Sequence, residues 1–290
     1  DLDSLPFPAW DEMDLSLFHG IFPHRTKLEL PMWTSRGCPF PCTFCARPLG
    51  RDRVNRSVES VIREIERNIE EFGCESIAFI DETFIVDKKW SSQLFKTMIK
   101  RGINKKINWS CETHVNISSP ELFQLMKESG CYYVFFGLEN AEDSILRNTG
   151  KMSKTATVKN AVNWAKNAGI VVAGSFIIGL PGETDETVMN SIKLAQELGL
   201  YSVTFPIAVP FPGTHLRQQA LNKEHGLRLL TNDWNDYDKQ YPGVMESETM
   251  PIERRLELQK IAYELNPKNK IEDYIKKISK KQQTELVACI

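Results

Sequence analysis

Phe72-Gly73-Cys74-Glu75-Ser76-Ile77-Ala78-Phe79-Ile80 reads as the end of a helix, closed by a glycine, running into a strand that is apolar at successive positions. Glycine takes the left-handed conformation that ends helices, and an apolar residue after it packs back on the last turn. The same junction recurs at Ser129-Gly130-Cys131 before Tyr132–Phe136, at Ala168-Gly169-Ile170 before Val171–Ile178 and at Leu198-Gly199-Leu200 before Tyr201–Ala208. Arg101-Gly102-Ile103, ahead of Ile107–Cys111, is a looser version. Upstream of these glycines lie stripes at helical spacing: Val61, Ile62, Ile65 and Ile69; Trp90, Leu94, Phe95 and Met98; Leu122, Leu125 and Met126; Val158, Val162 and Trp164; Val188, Ile192, Leu194 and Leu198.

With Leu28–Trp33 as the first strand, six strands alternate with helices. Strands apolar on both faces belong to a parallel sheet covered on both sides. The fold class expected is therefore α/β, a partial (β/α)6 TIM-like barrel of parallel strands with a mainly helical C-terminal extension; a doubly wound open sheet fits the same pattern. In either architecture chemistry belongs beyond the carboxyl ends of the strands. The expected divisions are a linker over residues 1–27, the barrel over 28–216 and the extension over 217–290, with helices at Ile252–Leu265 and Lys268–Lys281. The lysines of the last helix are read as a solvated face.

The 290 residues are 41% hydrophobic and 26% charged, the composition of a folded globular chain rather than a disordered one. Thirty-six basic and 38 acidic residues leave a formal charge of −2, which supplies no global field for nucleic acid or an anionic membrane. Ile170–Leu180, the longest nearly apolar stretch, is far shorter than the roughly 20 residues of a spanning helix. The start, Asp1-Leu2-Asp3-Ser4-Leu5-Pro6, lacks the pattern of a secretory signal, and an opening without Met suggests a fragment. Seven cysteines, three of them within eight residues, suit reduced thiols in a cytoplasmic protein better than a disulfide framework.

Those three lie in Cys38-Pro39-Phe40-Pro41-Cys42-Thr43-Phe44-Cys45, in the loop after the first strand. The prolines forbid a helix, so the thiolates share one tight loop and can ligate a polynuclear centre. A zinc ribbon uses two separated CxxC pairs, whereas only Cys42 and Cys45 form such a pair here. A four-iron cluster on three thiolates leaves one iron open for a substrate or cosubstrate, as in open catalytic metal sites. Cys74 and Cys131, at the amino ends of strands, are expected in the core; Cys111, ending the third strand, is the other contender for the fourth position.

The Cys38, Cys42, Phe44, Cys45 spacing resembles the CxxxCxΦC signature of radical S-adenosylmethionine (radical SAM) enzymes, and the resemblance covers about residues 28–216. It implies that Cys38, Cys42 and Cys45 hold a [4Fe–4S] cluster whose fourth iron is chelated by SAM. It implies reductive cleavage of SAM to a 5′-deoxyadenosyl radical that abstracts hydrogen. By the same resemblance Phe44 belongs to the cofactor site, and Asp81-Glu82-Thr83 stands where many members carry GGE and receive the methionyl ammonium. Glu112 and Glu139 are similarly candidates for the SAM ribose or ammonium, and Lys151 for its carboxylate. Ile177 and Gly179, in Phe176-Ile177-Ile178-Gly179-Leu180-Pro181-Gly182-Glu183-Thr184, correspond to the motif that packs on adenine. A plainer reading pairs Glu82, Glu112 and Glu139 with Arg36, Arg47 or Arg53, makes Thr184 or Asp185 a helix cap, and makes Ser57 another.

Leu5-Pro6-Phe7-Pro8-Ala9-Trp10-Asp11, with Pro210-Phe211-Pro212-Gly213-Thr214, resembles the cobalamin-dependent class of that superfamily, although these residues hold no DxHxxG cobalamin motif. The expected function is C–H activation on a small or lipid-like molecule, by methyl transfer or cyclisation, either with cobalamin held by a domain outside this chain or without cobalamin, and with a flavodoxin or ferredoxin as electron donor. Two alternatives are a radical SAM methylthiotransferase acting on RNA or protein, and a non-catalytic interaction domain stabilised by a closed metal site. Trp234, Tyr237 and Tyr241 are expected in the core, and His114, His215 and His225 have no partner visible from spacing.

Overall fold

A computed structural model describes residues 1–20, 27–237 and 243–267. The chain enters the sheet with β1 (Glu29–Met32), makes a small antiparallel pair from β2 (Ser35–Arg36) and β3 (Val54–Asn55), and then alternates helices with strands. These are α1 (Val58–Phe72), β4 (Ser76–Phe79), α2 (Lys88–Lys100), β5 (Asn108–Thr113), α3 (Pro120–Glu128), β6 (Cys131–Glu139), α4 (Asp143–Asn148), α5 (Thr155–Asn167), β7 (Val171–Phe176), α6 (Asp185–Leu198) and β8 (Ser202–Thr204).

The six long-range strands form one parallel sheet in the order β1-β4-β5-β6-β7-β8. Each crossover steps in the same direction. A doubly wound sheet reverses its strand order at a switch point, so this monotonic order selects the partial barrel. The third and fourth strands of the sheet run on past their apolar stretches, β5 to Thr113 and β6 to Glu139. Both extensions carry polar residues past the apolar run that periodicity detects.

Local chemistry sets the helix limits. Ser57 caps α1, Asp87 caps α2, Ser119 caps α3 and Thr184 forms a capping box on α6, while Gly73 and Gly199 end α1 and α6 in the left-handed conformation. Val61, Ile62, Ile65, Leu94, Phe95, Met98, Val158, Val162 and Ile192 are fully buried against the sheet. Phe79, Phe84, Phe95 and Trp109 form one aromatic cluster, with the Phe79 and Phe84 rings 4.3 Å apart and the Trp109 indole donating to Ser129 O. At the amino end of the sheet Glu29 accepts hydrogen bonds from Ser76 and Tyr132, which satisfies a buried carboxylate across three strands.

Beyond β8 the chain continues with α7 (His215–Leu221), the antiparallel pair β9 (Leu227–Leu229) and β10 (Met245–Ser247), and α8 (Ile252–Leu265). The expected helix Lys268–Lys281 and Tyr241 lie outside the described residues. The expectation that Trp234 is core is corrected: it is 53% exposed, with the Arg217 guanidinium stacked on its ring at 4.6 Å and bonded to the Tyr237 hydroxyl. The guanidinium and the Tyr237 ring, 4.7 Å away, pack on the indole, and the rest of it meets solvent. Among the described residues no helix is long and apolar enough to cross a membrane.

Candidate active site

The cysteine loop has no regular structure and is held by backbone bonds to distant segments. Cys38 N donates to Gly50 O, Thr43 N to Thr149 O, and Leu216 N to Thr43 O, at 2.9–3.1 Å. Arg47, itself in the left-handed region at φ 45°, donates to Phe40 O across the loop. Cys38 and Cys42 are buried and Cys45 partly so, and Cys38 Sγ lies 3.4 Å from Thr83 Oγ1.

These thiols border a cavity of about 640 Å³ at the carboxyl ends of the strands. Phe44 lines it from the same loop, Glu82 and Thr83 from the turn after β4, Glu112 from β5, Glu139 from the end of β6, Lys151 from the segment before α5 and Ile177 from the end of β7. Val209 and Phe211 extend the apolar side. The sheet edge thus collects residues scattered over about 170 positions of sequence. A groove of about 580 Å³ lies elsewhere, on the surface of α2 between its lysines.

Glu139 and Lys151 form the polar anchor of the cavity. Lys151 Nζ lies 2.8 Å from Glu139 Oε1, and both side chains are buried. The β6–β7 register shifts between Gly137 and Glu139, and the left-handed backbone of Glu139 (φ 66°) turns its carboxylate to Lys151. A side chain at Gly137 would collide with the Glu139 carboxylate and lie 2.8 Å from Lys151 Nζ, so the glycine clears the space for the pair. Burial disfavours the Lys151 ammonium, but Glu139 and the nearby thiols outweigh it and raise its pKa. The plainer sequence reading, which paired these carboxylates with arginines, is corrected for Glu139: its partner is Lys151. Arg53 instead donates to the carbonyls of Thr83 and Phe84.

Two residues singled out in the sequence stand apart from the cavity wall. Asp81 is buried and receives the amide and hydroxyl of Thr34 and the hydroxyl of Ser35, pinning the chain just before the cysteine loop. Gly179 faces the guanidinium of Arg255. Cys111 is buried beside Cys131 and does not line the cavity, whereas the next two residues of β5 do. Cys74 and Cys131 are core residues, as expected.

His114 is a cavity residue that spacing could not reveal. Its ring stacks on Phe40 of the cysteine loop at 4.0 Å, its Nδ1 accepts the Asn116 amide and its Nε2 lies 3.1 Å from Lys151 O. Burial, reinforced by the Lys151 charge, pushes its pKa down to about 3, so the ring is neutral and Nε2–H donates. Its partners are 74 and 37 residues away, and only its position one residue past a barrel strand pointed to the site.

Burial pushes the Cys42 thiol up to about 11, against the pull of Lys151, and raises Cys45 too. Thiolates in such a place need a bound cation to be stable, and metal coordination supplies one. Among the described residues no three His, Cys, Asp or Glu side chains converge as a single ion requires. Three thiols lining one cavity fit a polynuclear centre, whose metals meet different sulfurs.

The family model of the radical SAM superfamily matches residues 33–195. An uncharacterized methyltransferase of Pyrococcus horikoshii is 36% identical over 278 residues, 94% of this chain and 58% of that one. Cytidylyl-2-hydroxyethylphosphonate methyltransferase of Streptomyces wedmorensis is 29% identical over 252 residues, 80% of this chain and 46% of that one. The chain therefore spans about half the length of these curated relatives. Among solved structures, the radical SAM methyltransferase TsrM from Kitasatospora setae, with cobalamin and a [4Fe–4S] cluster bound, has the same fold at a TM-score of 0.64 and 18% identity, over 92% of this chain and 53% of that one. With more than half its length matched and three thiols on the cavity at the strand ends, this chain belongs to the radical SAM superfamily, as an enzyme whose cofactors are a [4Fe–4S] cluster and S-adenosylmethionine.

Proposed function

We propose that Cys38, Cys42 and Cys45 hold the cluster, that SAM occupies the adjoining cavity, and that the enzyme transfers a methyl group to an unactivated carbon of an apolar or lipid-like small molecule. The observation that carries this reading is the convergence of the three thiols and the Glu139–Lys151 pair on one cavity. Bound there, cluster and SAM supply one-electron cleavage of the sulfonium and a carbon-centred radical.

The protein's own residues then have distinct tasks. The buried Lys151 ammonium is kept charged by Glu139 and offers a point charge to the SAM carboxylate. Glu112 stands at the cavity mouth as an acceptor for the ribose or ammonium, with Glu82 and Thr83 beside the cysteine loop. Phe44, Ile177, Val209 and Phe211 form an apolar wall that excludes water and suits adenine and an apolar substrate. Asp81 serves this site through Thr34 and Ser35, and Gly179 through the turn that follows β7, which Ile177 opens.

Methyl transfer is favoured over cyclisation because the relative at 36% identity is named a methyltransferase. Cobalamin is the proposed methyl carrier, held by a part of the protein outside this sequence, since the similarly folded TsrM carries it. A flavodoxin or ferredoxin supplies the electron, and the unpaired thiols suit the cytoplasm.

Anaerobic iron and sulfide reconstitution tests the reading. The expected protein binds close to four irons per chain, changes its electron paramagnetic resonance spectrum on adding SAM, and releases 5′-deoxyadenosine or S-adenosylhomocysteine under dithionite. Each of Cys38→Ala, Cys42→Ala and Cys45→Ala abolishes all three signals. A colourless zinc protein whose spectrum ignores SAM overturns the assignment. An optical titration of the full-length protein that detects no cobalamin binding overturns the methyl-carrier part alone.

A further inference from the structure

Helix α8 presents Arg255, Gln259 and Tyr263 at four-residue intervals, hence on one face. Gln259 and Tyr263 bond the chain at the carboxyl end of β8, and Arg255 packs beside Gly179, just past the end of β7. Gln259 Nε2 donates to Phe205 O at 2.7 Å, and Phe205 N donates to the Tyr263 hydroxyl at 3.1 Å. Phe205 directly follows β8, the edge of the sheet, so these are the backbone groups that a further strand would have paired. Helix α8 takes that role with side chains.

Arg255 is fully buried and reaches the neighbouring strand end. Its donors go to Met250 O, Met245 O and Ser247 Oγ, all in the segment that precedes α8. Its guanidinium fills the space beside Gly179, where a Cβ would come within 2.5 Å of Nη1. Across the same turn the buried Glu183 carboxylate accepts the amides of Gly179 and Leu180 and the Asn140 side chain. Glu183 and Glu246 supply the charge opposite Arg255. Ile178 exchanges backbone hydrogen bonds with Pro206 and Ala208, and Ile177, Pro206, Ile207 and Ala208 line the cavity. A displacement at Arg255 is therefore passed through Gly179 to the cavity wall.

We propose that Arg255 is a positioning residue for SAM binding: from α8 it sets the turn that follows β7, so that the C-terminal segment shapes the cavity wall formed by Ile177 and Ile207. This rests on the reading that SAM occupies the cavity. The residue touches neither the thiols nor the Glu139–Lys151 pair in any contact described above, and it acts only through the turn.

The test compares Arg255→Met, Arg255→Lys and Tyr263→Phe in the reconstituted full-length protein. Arg255→Met raises the SAM dissociation constant and KM by about tenfold or more, with iron content retained and kcat at saturating SAM changed less than about threefold. Arg255→Lys, which keeps the charge but not the planar fork, gives an intermediate rise. Tyr263→Phe loosens α8 at Phe205 and leaves SAM affinity within about twofold. Amide exchange in the cluster-free protein gives a readout independent of turnover. Gly179 and Leu180 exchange about tenfold faster in either Arg255 variant, while Tyr263→Phe leaves them unchanged. Unchanged SAM affinity and unchanged Gly179 exchange in Arg255→Met overturn the proposal, as does an equal rise in Tyr263→Phe. If Arg255→Met does not fold, Arg255→Lys decides by the same two readouts. Should the wild-type protein itself fail to bind SAM, the occupancy reading falls, and that outcome is separable because it appears before any substitution.

Discussion

The cysteine loop and the turn after β7 border the same cavity but are stabilised in different ways. The loop from Cys38 to Cys45 is fastened by a few backbone bonds to Gly50, Thr149 and Leu216, and its three thiols line the cavity, with Cys38 against the Thr83 hydroxyl and Cys45 beside the Arg47 amide. In the turn, Glu183 satisfies two backbone amides and Asn140, and Arg255 fills the space left by Gly179. On the proposed reading, the loop keeps its sulfurs for a cluster, whereas the turn spends the groups just named internally. On that reading the difference separates residues that would meet a cofactor from residues that hold others in place.

The largest expected effect tests the loop side. Lys151→Met strands a buried Glu139 carboxylate and lowers unfolding free energy by about 3–5 kcal/mol in denaturant titration. The double variant Lys151→Met/Glu139→Gln recovers at least half of that loss, because no charge is left uncompensated. Failure to recover means that the pair is held by something other than mutual neutralisation.

Next comes the turn. Glu183→Gln keeps one acceptor for the Gly179 and Leu180 amides but sets an amide group against the Asn140 amide, whose oxygen is already taken by Glu142 N. The expected cost is about 1–3 kcal/mol by the same titration. A cost above that of Lys151→Met would reverse the contrast and make the turn the stronger structural keystone.

A third effect, spread over several pH units and small within any one of them, concerns His114, which bridges the cysteine loop and Lys151. Its folded pKa, about 3, lies below the ordinary histidine value of 6.5. The unfolded chain therefore binds the extra proton first, so the stability due to this group is complete above pH 6.5 and is lost as pH falls from 6.5 toward 3. Relative to His114→Gln, the wild-type protein loses up to about 1.4 kcal/mol per pH unit over that interval. Parallel pH profiles for the two proteins would show that the ring is not held neutral.

Much of this was legible along the chain. Cys38, Cys42 and Cys45 announce themselves because a tight loop places its ligands by local spacing alone, and the Gly73, Gly130, Gly169 and Gly199 junctions disclose the α/β repeat because helix ends are local chemistry. Asp81 and Gly179 were visible as members of strand-end motifs, but not the direction in which they act. That direction depends on Thr34, Ser35 and Arg255. His114 was seen only as a lone histidine, since its partner Phe40 belongs to another βα unit.

The amino-acid sequence by itself determined the parallel α/β repeat and the position of the thiols after the first strand, for these follow from periodicity and spacing over a few residues, and it carried the signature by which the thiols resemble their family. The tertiary structure alone decided that Glu139 pairs with Lys151 through a shifted register, that the sheet is a monotonic partial barrel, and that a helix more than seventy residues downstream supports the turn at Gly179. The physical reason is that burial and charge pairing act between side chains close in space, and separation along the chain carries almost no information about that distance.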